Sequence, residues 1–236
     1  MVRSFYTFHL LIGGHHTMAM NFEQARLNMV ENQVRPWEVL DGRVLDIIAR
    51  VRREDFVASA HRQLAFADLC LPLGHGEVMM KPVVEGRVLQ ALELRATDRV
   101  LEIGTGSGFL CACLAGLSAH VTSVDIHADF TEAAALRMAN AGIANTTLIT
   151  AEAVRAWEPE EKFDAVVATG AVAQIPARWL AWLAPGARLL VVRGESPAQQ
   201  ATLLTQAGAA APHEVTLFET DLPYLLHAEP TPAFVF

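Results

Sequence analysis

The sequence predicts an α/β fold, a doubly wound and mostly parallel sheet with a helical segment ahead of it. Three observations carry that expectation. From residue 99 onward, short β-branched or apolar runs recur: "RVLEI", "HVTSVDI", "NTTLIT", "FDAVVAT", "GARLLVV" and "EVTLFE". Helical stretches of about a dozen residues separate several of them, the spacing of βαβ units. The first run leads into Gly104-Thr105-Gly106-Ser107-Gly108 and then the helix "FLCACLAGL". Alternating β and α places helices on both faces of a mostly parallel sheet.

Ahead of the sheet, residues 21–35 read as a helix with Phe22, Ala25 and Met29 on one stripe and Val30 and Val34 beside it. It should stop before Pro36, because the residue preceding a proline is pushed out of the α region. Asp41 is placed to cap a second helix whose Val44, Leu45, Ile47, Ile48 and Val51 face inward. Arg50, Arg52 and Arg53 then fall in its last turn, where cations suit the helix dipole. "FVASAHRQLAFADLCLPLGHGEVMM" reads as an irregular connector, its end too irregular for a strand and too glycine-rich for a helix. Pro82 suits the first position of a further helix carrying Val84, Val88, Ala91 and Leu92.

Residues 20–95 therefore form a mostly helical N-terminal segment with the connector loop, and residues 96–236 the α/β domain. Residues 1–19 are expected to be an extension without order. Their apolar run is interrupted by His9 and followed by no clear small-x-small cleavage site. "AEAVRAWEPEE" holds a short helix, and "AFVF" a last strand. Trp37, Trp157, Trp179 and Trp182 are expected to pack against the helices.

Composition narrows the class of function. With 236 residues, 52% hydrophobic and 19% charged, the chain has the make-up of a soluble globular protein with ample core. Its 18 basic against 26 acidic residues leave a net charge of −8. Nucleic-acid affinity comes mostly from neutralising phosphates, so an acidic chain without a basic block is not expected to bind it. No run approaches the roughly 18 apolar residues of a membrane span. Cys70, Cys111 and Cys113 give no disulfide framework, and Cys-x-Cys in a helix points its thiols apart. No zinc set and no metal are expected, and a reducing cytoplasm is the expected compartment. His15 and His16 read as a solvated tail.

The glycine run carries the most chemistry. Glycines let a turn tighten and a ligand approach the backbone. The dinucleotide pattern G-x-G-x-x-G fails here: from Gly104 the last glycine position holds Phe109, and from Gly106 it holds Cys111. Glu102, at the strand end beside the turn, would repel a pyrophosphate but suits a ligand with an ammonium, a sulfonium and no phosphate. Asp125 closes the second strand, where a carboxylate can accept bonds from both ribose hydroxyls. Glu152 follows the third strand, on the edge where open α/β sheets bind ligands. Three acids at three consecutive strand ends describe S-adenosyl-L-methionine well and NAD poorly. The competing reading is that Glu102 and Asp125 are ordinary loop carboxylates.

"VLEIGTGSGF", "VTSVDI" and "FDAVVATGAVAQIPARWLAWLAPGARLLVVRGE" resemble the class I S-adenosylmethionine-dependent methyltransferases, a Rossmann-like fold. The whole arrangement from about residue 20, including "NMVENQVRPWEVLDGRVLDIIARVRREDFV", resembles the protein-L-isoaspartate O-methyltransferase family. The resemblance implies methylation of isoaspartyl carboxylates in damaged proteins. The alternatives kept beside it are another small carboxylate acceptor, or cofactor binding without transfer. It carries cofactor contacts onto Glu102, Gly104, Thr105, Gly106, Gly108, Asp125, Ile126, Glu152 and Ala153. The family's substrate loop, approximately Thr-Ile-Ser-Ala-Pro, falls on Val78, Met79, Met80, Lys81 and Pro82, with His75 just before it. Both loop hydroxyls are gone, and Met80 holds the active-site serine position. Glu85 matches a position near the cofactor, although an exposed first-turn carboxylate explains it as well. Lys81 and the helix start at Pro82 could replace the hydroxyls in attracting an anion. Equally, Lys81 could be solvated, with Val78 to Met80 in the core.

Overall fold

The computed structural model describes residues 20–206 and 212–231. The expectations for residues 1–19 and for a strand in "AFVF" lie outside the described residues. Helix α1 (Phe22–Met29) starts where the Asn21 side chain accepts the Gln24 N–H at 3.1 Å, pairing a donor that a helix start leaves open. The helical path does not stop before Pro36. It widens into a π turn at Val30–Val34 and tightens into a 3-10 turn at Arg35–Trp37, before Glu38 turns the chain at φ 63°. Pro36 is tolerated there because a first turn needs no N–H from it. The changed pitch rotates Trp37 off the buried stripe, so it is 52% exposed rather than packed.

Helix α2 (Gly42–Arg50) is capped by Asp41, which accepts the Arg43 N–H at 2.9 Å, and it buries Val44, Leu45, Ile47 and Ile48. It ends earlier than the arginine run suggested. Arg53 lies beyond it, in a 3-10 turn (Arg53–Asp55), and is wholly buried. The connector is also more ordered than expected. Strands β1 (Leu71–Gly74) and β2 (Glu77–Met79) form an antiparallel hairpin. Its irregularity is confined to the tip, where Gly74, His75 and Gly76 have φ of 115°, 54° and 86°. Helix α3 (Pro82–Ala91) follows with Pro82 in its first turn and Val83, Val84, Val88 and Leu89 buried.

The sheet comprises β3 (Arg99–Ile103), β4 (His120–Asp125), β5 (Thr146–Thr150), β6 (Phe163–Val172), β7 (Leu183–Arg193), β8 (Gln199–Thr205) and β9 (His213–Thr220). Their order is β5-β4-β3-β6-β7-β8-β9. The first five are mutually parallel; β8 and β9 add antiparallel pairs at one side. Strand β8 was not anticipated, because "QQATLLT" is poor in β-branched residues and is held by pairing on both sides. Helices α4 (Phe109–Leu117) and α5 (Ala128–Asn140) follow β3 and β4, and the short α6 (Ala177–Ala181) precedes β7.

Alternate residues of each central strand enter different cores, as the two-residue period requires. Val100, Ala165, Val167 and Leu190 join α2, α3 and α4 on one face. Leu101, Ile103, Val166 and Leu189 join Trp179 and Trp182 on the other. Trp157 meets Trp182 edge-on at 5.6 Å, and the Trp179 ring N–H donates to the Ala153 carbonyl. The short helix expected in "AEAVRAWEPEE" is reduced to one turn, in which the Ala156 and Trp157 N–H groups both donate to the Glu152 carbonyl.

Candidate active site

Ligands of open α/β sheets bind beyond the carboxyl ends of the parallel strands, at the crevice where the strand order reverses. In this sheet β3 lies between β4 and β6, and the glycine turn leaves β3 there. Gly104 has φ 98°, which an L side chain rarely adopts, and a Cβ on it would collide with the Thr169 hydroxyl. That hydroxyl donates to the Gly104 carbonyl at 2.7 Å, so the end of β6 fixes the turn. Gly108, φ 84°, begins α4, where a Cβ would stand 2.9 Å from the Ala134 Cβ. That end of the turn packs closely against α5 and is not among the residues lining the cleft at the strand ends.

Asp125, at the end of β4, is 7% exposed. One carboxylate oxygen accepts the Gly106 N–H and the other the His127 N–H, each at 2.9 Å. These bonds hold the carboxylate against the turn, with Ile126 beside it on the rim of the same cleft. Glu152 folds back to accept the Val154 N–H at 2.7 Å and the Arg155 N–H at 3.0 Å. With Ala153 it forms the edge after β5. The cleft is closed from above by Leu73, Glu77 and Val78 of the hairpin and from the far side by Leu225 and Leu226. Burial and the charge of Asp125 push the Glu77 carboxyl above its ordinary pKa.

Glu102 is placed differently from the sequence expectation. It does not line this cleft but is fully buried behind the turn. It faces a small adjoining cavity with Thr105, Ser107, Glu85, Met79 and Met80. One carboxylate oxygen accepts the Ser123 hydroxyl at 2.5 Å, and Ser123 is in turn 2.7 Å from the Thr105 hydroxyl. The other oxygen has no partner. Burial pushes the Glu102 pKa to about 8, against the hydrogen bonds from Ser123 and Cys111.

Gly104, Gly106, Val78, Leu73 and Thr169 border both cavities, which makes them neighbouring compartments. The residues fit S-adenosyl-L-methionine: a glycine cradle that a Cβ would fill, an acid at the end of β4, and an orphaned buried carboxylate oxygen for an ammonium. Gly104→Ala is expected to cost about 1–3 kcal/mol of backbone strain, roughly five- to 150-fold if it falls on binding. Calorimetry with S-adenosyl-L-homocysteine measures it; an unchanged affinity would show that the turn relaxes without loss.

The substrate-loop residues separate. Val78 lines both cavities, while Met79 and Met80 are buried, 3% and 5% exposed. Pro82 is buried in α3, and His75 stands at the hairpin tip. Lys81 lines neither cavity; as the residue capping α3 it is exposed and borders a separate cleft with Trp37, Asp68 and Arg87. Glu85, offered as an exposed first-turn carboxylate, is instead 2% exposed and paired with Arg53. Arg53 also donates to the Ala65 and Met80 carbonyls, at 2.8 and 2.7 Å, and its guanidinium lies 4.7 Å from the Phe109 ring centre. It thus holds the exit of the hairpin to the start of α3. Burial still pushes Glu85 up to about 7.

Leu73, Glu77, His127, Thr169, Gly170, Leu225 and Leu226 are among the lining residues that were not singled out from sequence. The strand-end rule that found Glu152 would also have found Thr169 and Gly170 after "FDAVVA". No pattern signals the "YLL" segment, which reaches the cleft through the bridge between Tyr224 and Ala171.

A central parallel sheet with a glycine turn after β3, an acid ending β4 and an N-terminal helical segment over one face define the class I methyltransferase fold. The model of the Protein-L-isoaspartate(D-aspartate) O-methyltransferase (PCMT) family matches residues 24–217, and the chain belongs to that family. It is 36% identical over 182 residues to a protein-L-isoaspartate O-methyltransferase of Myxococcus xanthus (strain DK1622), covering 77% of this chain and 85% of that protein. It is 37% identical over 172 residues to one of Anaeromyxobacter dehalogenans (strain 2CP-1 / ATCC BAA-258), covering 72% and 82%. A Plasmodium falciparum protein-L-isoaspartate O-methyltransferase structure, solved with S-adenosyl-L-homocysteine, has the same fold. It superposes with a TM-score of 0.74 at 18% identity, over 85% of this chain and 97% of that one.

Proposed function

We propose that this protein transfers the methyl group of S-adenosyl-L-methionine to the side-chain carboxylate of isoaspartyl residues in damaged proteins. Membership of the family is the observation that carries the reading, and the cradle of Gly104, Gly106 and Asp125 supports it. The cofactor supplies an electrophilic methyl on a sulfonium. The acceptor carboxylate is already ionised at neutral pH, so the protein needs no general base, in keeping with the absence of a Ser/His/Asp or Cys/His set among the lining residues. Its contribution is alignment, which can supply roughly 7–11 kcal/mol when fully exploited, and exclusion of water.

Each residue has a part in that. Asp125 would accept the ribose hydroxyls, and Glu102 would take the ammonium at its unpartnered oxygen. Leu73 and Val78 would cover the reacting centre with apolar surface. The three free cysteines, two of them buried, fit a reducing cytoplasm. Among the described residues no helix is long and apolar enough to cross a membrane.

A second reading, transfer to a different carboxylate, is favoured by one feature. Val78 and Met80 offer no hydrogen-bond donor, and Lys81 faces another cleft. Incubation with methyl-labelled S-adenosyl-L-methionine and matched isoaspartyl and aspartyl peptides separates the two. Base-labile label on the isoaspartyl peptide alone is the expected result. No label, with cofactor binding confirmed in the same sample, would move the acceptor to another carboxylate.

A further inference from the structure

The hairpin tip touches the α/β domain at one cluster that the methyl transfer does not use. His75 sits between Gly74 and Gly76 in a left-handed conformation, φ 54°, which is uncommon for a residue with a side chain. That turn carries its imidazole across to the start of α5. The His75 Nε2 lies 3.2 and 3.1 Å from the two carboxylate oxygens of Asp129. Its ring stacks on His127 at 4.0 Å, and the Phe130 ring backs both imidazoles edge-on at 5.4 and 5.2 Å. The His127 Nε2 is shielded from solvent and has no hydrogen-bond partner. A buried polar atom without a partner is costly unless something pairs with it.

We propose that His75, His127 and Asp129 form a binding site for a divalent transition-metal ion of the zinc class, joining the hairpin to the α/β domain. One ligand atom from each of the three residues lies within 4.8 Å of the other two. Two imidazoles and a carboxylate are a donor set for Zn²⁺, Ni²⁺ or Cu²⁺, not for the oxygen-seeking Mg²⁺ or Ca²⁺. The His75 and Asp129 side chains are 45% and 64% exposed, which leaves the outer coordination positions to water. In the stack the rings are only 10° from parallel, so their in-plane lone pairs run side by side. Ligation turns one imidazole about its Cβ–Cγ bond until the two nitrogens converge, and the open outer face leaves room for that. A bound ion would tie the tip of the hairpin to His127, a wall residue of the cofactor cleft. The site is independent of which carboxylate is methylated.

The test uses the full chain, with ZnCl₂ alone as the titrant in calorimetry and CoCl₂ as the spectroscopic probe. The unaltered protein should bind one equivalent of Zn²⁺. His75→Ala and Asp129→Asn should each weaken that binding at least tenfold while keeping the native circular dichroism spectrum. The Co²⁺ form should show visible bands of four- or five-coordinate metal that both variants lose. Absence of stoichiometric binding, or binding and spectra unchanged in both variants because other histidines hold the ion, overturns the proposal.

Discussion

Arg53→Met is expected to destabilise the fold by about 3–5 kcal/mol, because it leaves a buried acid without its partner. Arg53 is wholly buried, and Glu85 has lost almost all its water. The guanidinium also satisfies the carbonyls of Ala65 and Met80, so its removal orphans three acceptors at once. Glu85 already sits near 7 with the arginine present; without it the carboxyl is driven further toward the neutral form. A double change, Arg53→Met with Glu85→Leu, removes the charge along with its partner and should regain much of the loss. Urea unfolding of the three proteins measures this. A single-variant loss below about 1 kcal/mol would mean that water reaches the pair, which its burial denies.

Arg53 also shows where sequence reading stops. A run of arginines after an amphipathic helix has an ordinary explanation at the helix end, and nothing local distinguishes the one that turns inward. Glu85 is 32 residues away and reads as a first-turn carboxylate; only the packing of α2 against α3, with the turn that follows α2, makes the two meet. The central strands β3, β4, β6 and β7 were legible because β-branched, apolar runs are what a twice-covered sheet requires, and the edge strands β5 and β9 through their Thr, Ile and Val residues alone. Strand β8 was not, since Ala201, Leu203 and Leu204 suit a helix as well, and the neighbouring strands decide. The hairpin was hidden by the glycines at its tip, which dominate a window of ten residues.

The candidate cradle divides in the same way. Gly104, Gly106 and Asp125 were readable from spacing, because strand ends and tight turns have local signatures. Glu102 was readable as a strand-end acid but not as a buried one; that depends on α4 closing over it with Cys111 and on Met80 from the hairpin. The cluster of His75, His127 and Asp129 escaped for a further reason. A metal search by spacing looks for ligands close in sequence, whereas this set is split across about fifty residues that only the hairpin's crossing brings together.

Glu102→Gln should make the protein more stable at pH 8 and a weaker binder of the cofactor. The folded pKa of about 8 lies above the ordinary carboxylate value of 4.5, so the folded chain holds a proton that the unfolded chain gives up between those values. Stability from this group is complete below pH 4.5 and declines as pH rises toward 8 and above, by on the order of 4–5 kcal/mol in all. Glutamine cannot ionise, so the slope between about pH 5 and 8 should flatten, with the largest gain at the alkaline end. Binding runs the other way. An ammonium placed at the unpartnered oxygen favours the ionised acid, so affinity for S-adenosyl-L-homocysteine should rise from pH 6 to pH 8 in the unaltered protein and stay level in the variant. At pH 8 the lost charged hydrogen bond is worth about 1.5–3 kcal/mol, or roughly ten- to a hundred-fold in affinity. Urea melts and calorimetry at the two pH values read both effects. Equal affinities at both pH values, shared by protein and variant, would remove Glu102 from the cofactor site and leave it a buried acid held by Ser123 and Cys111.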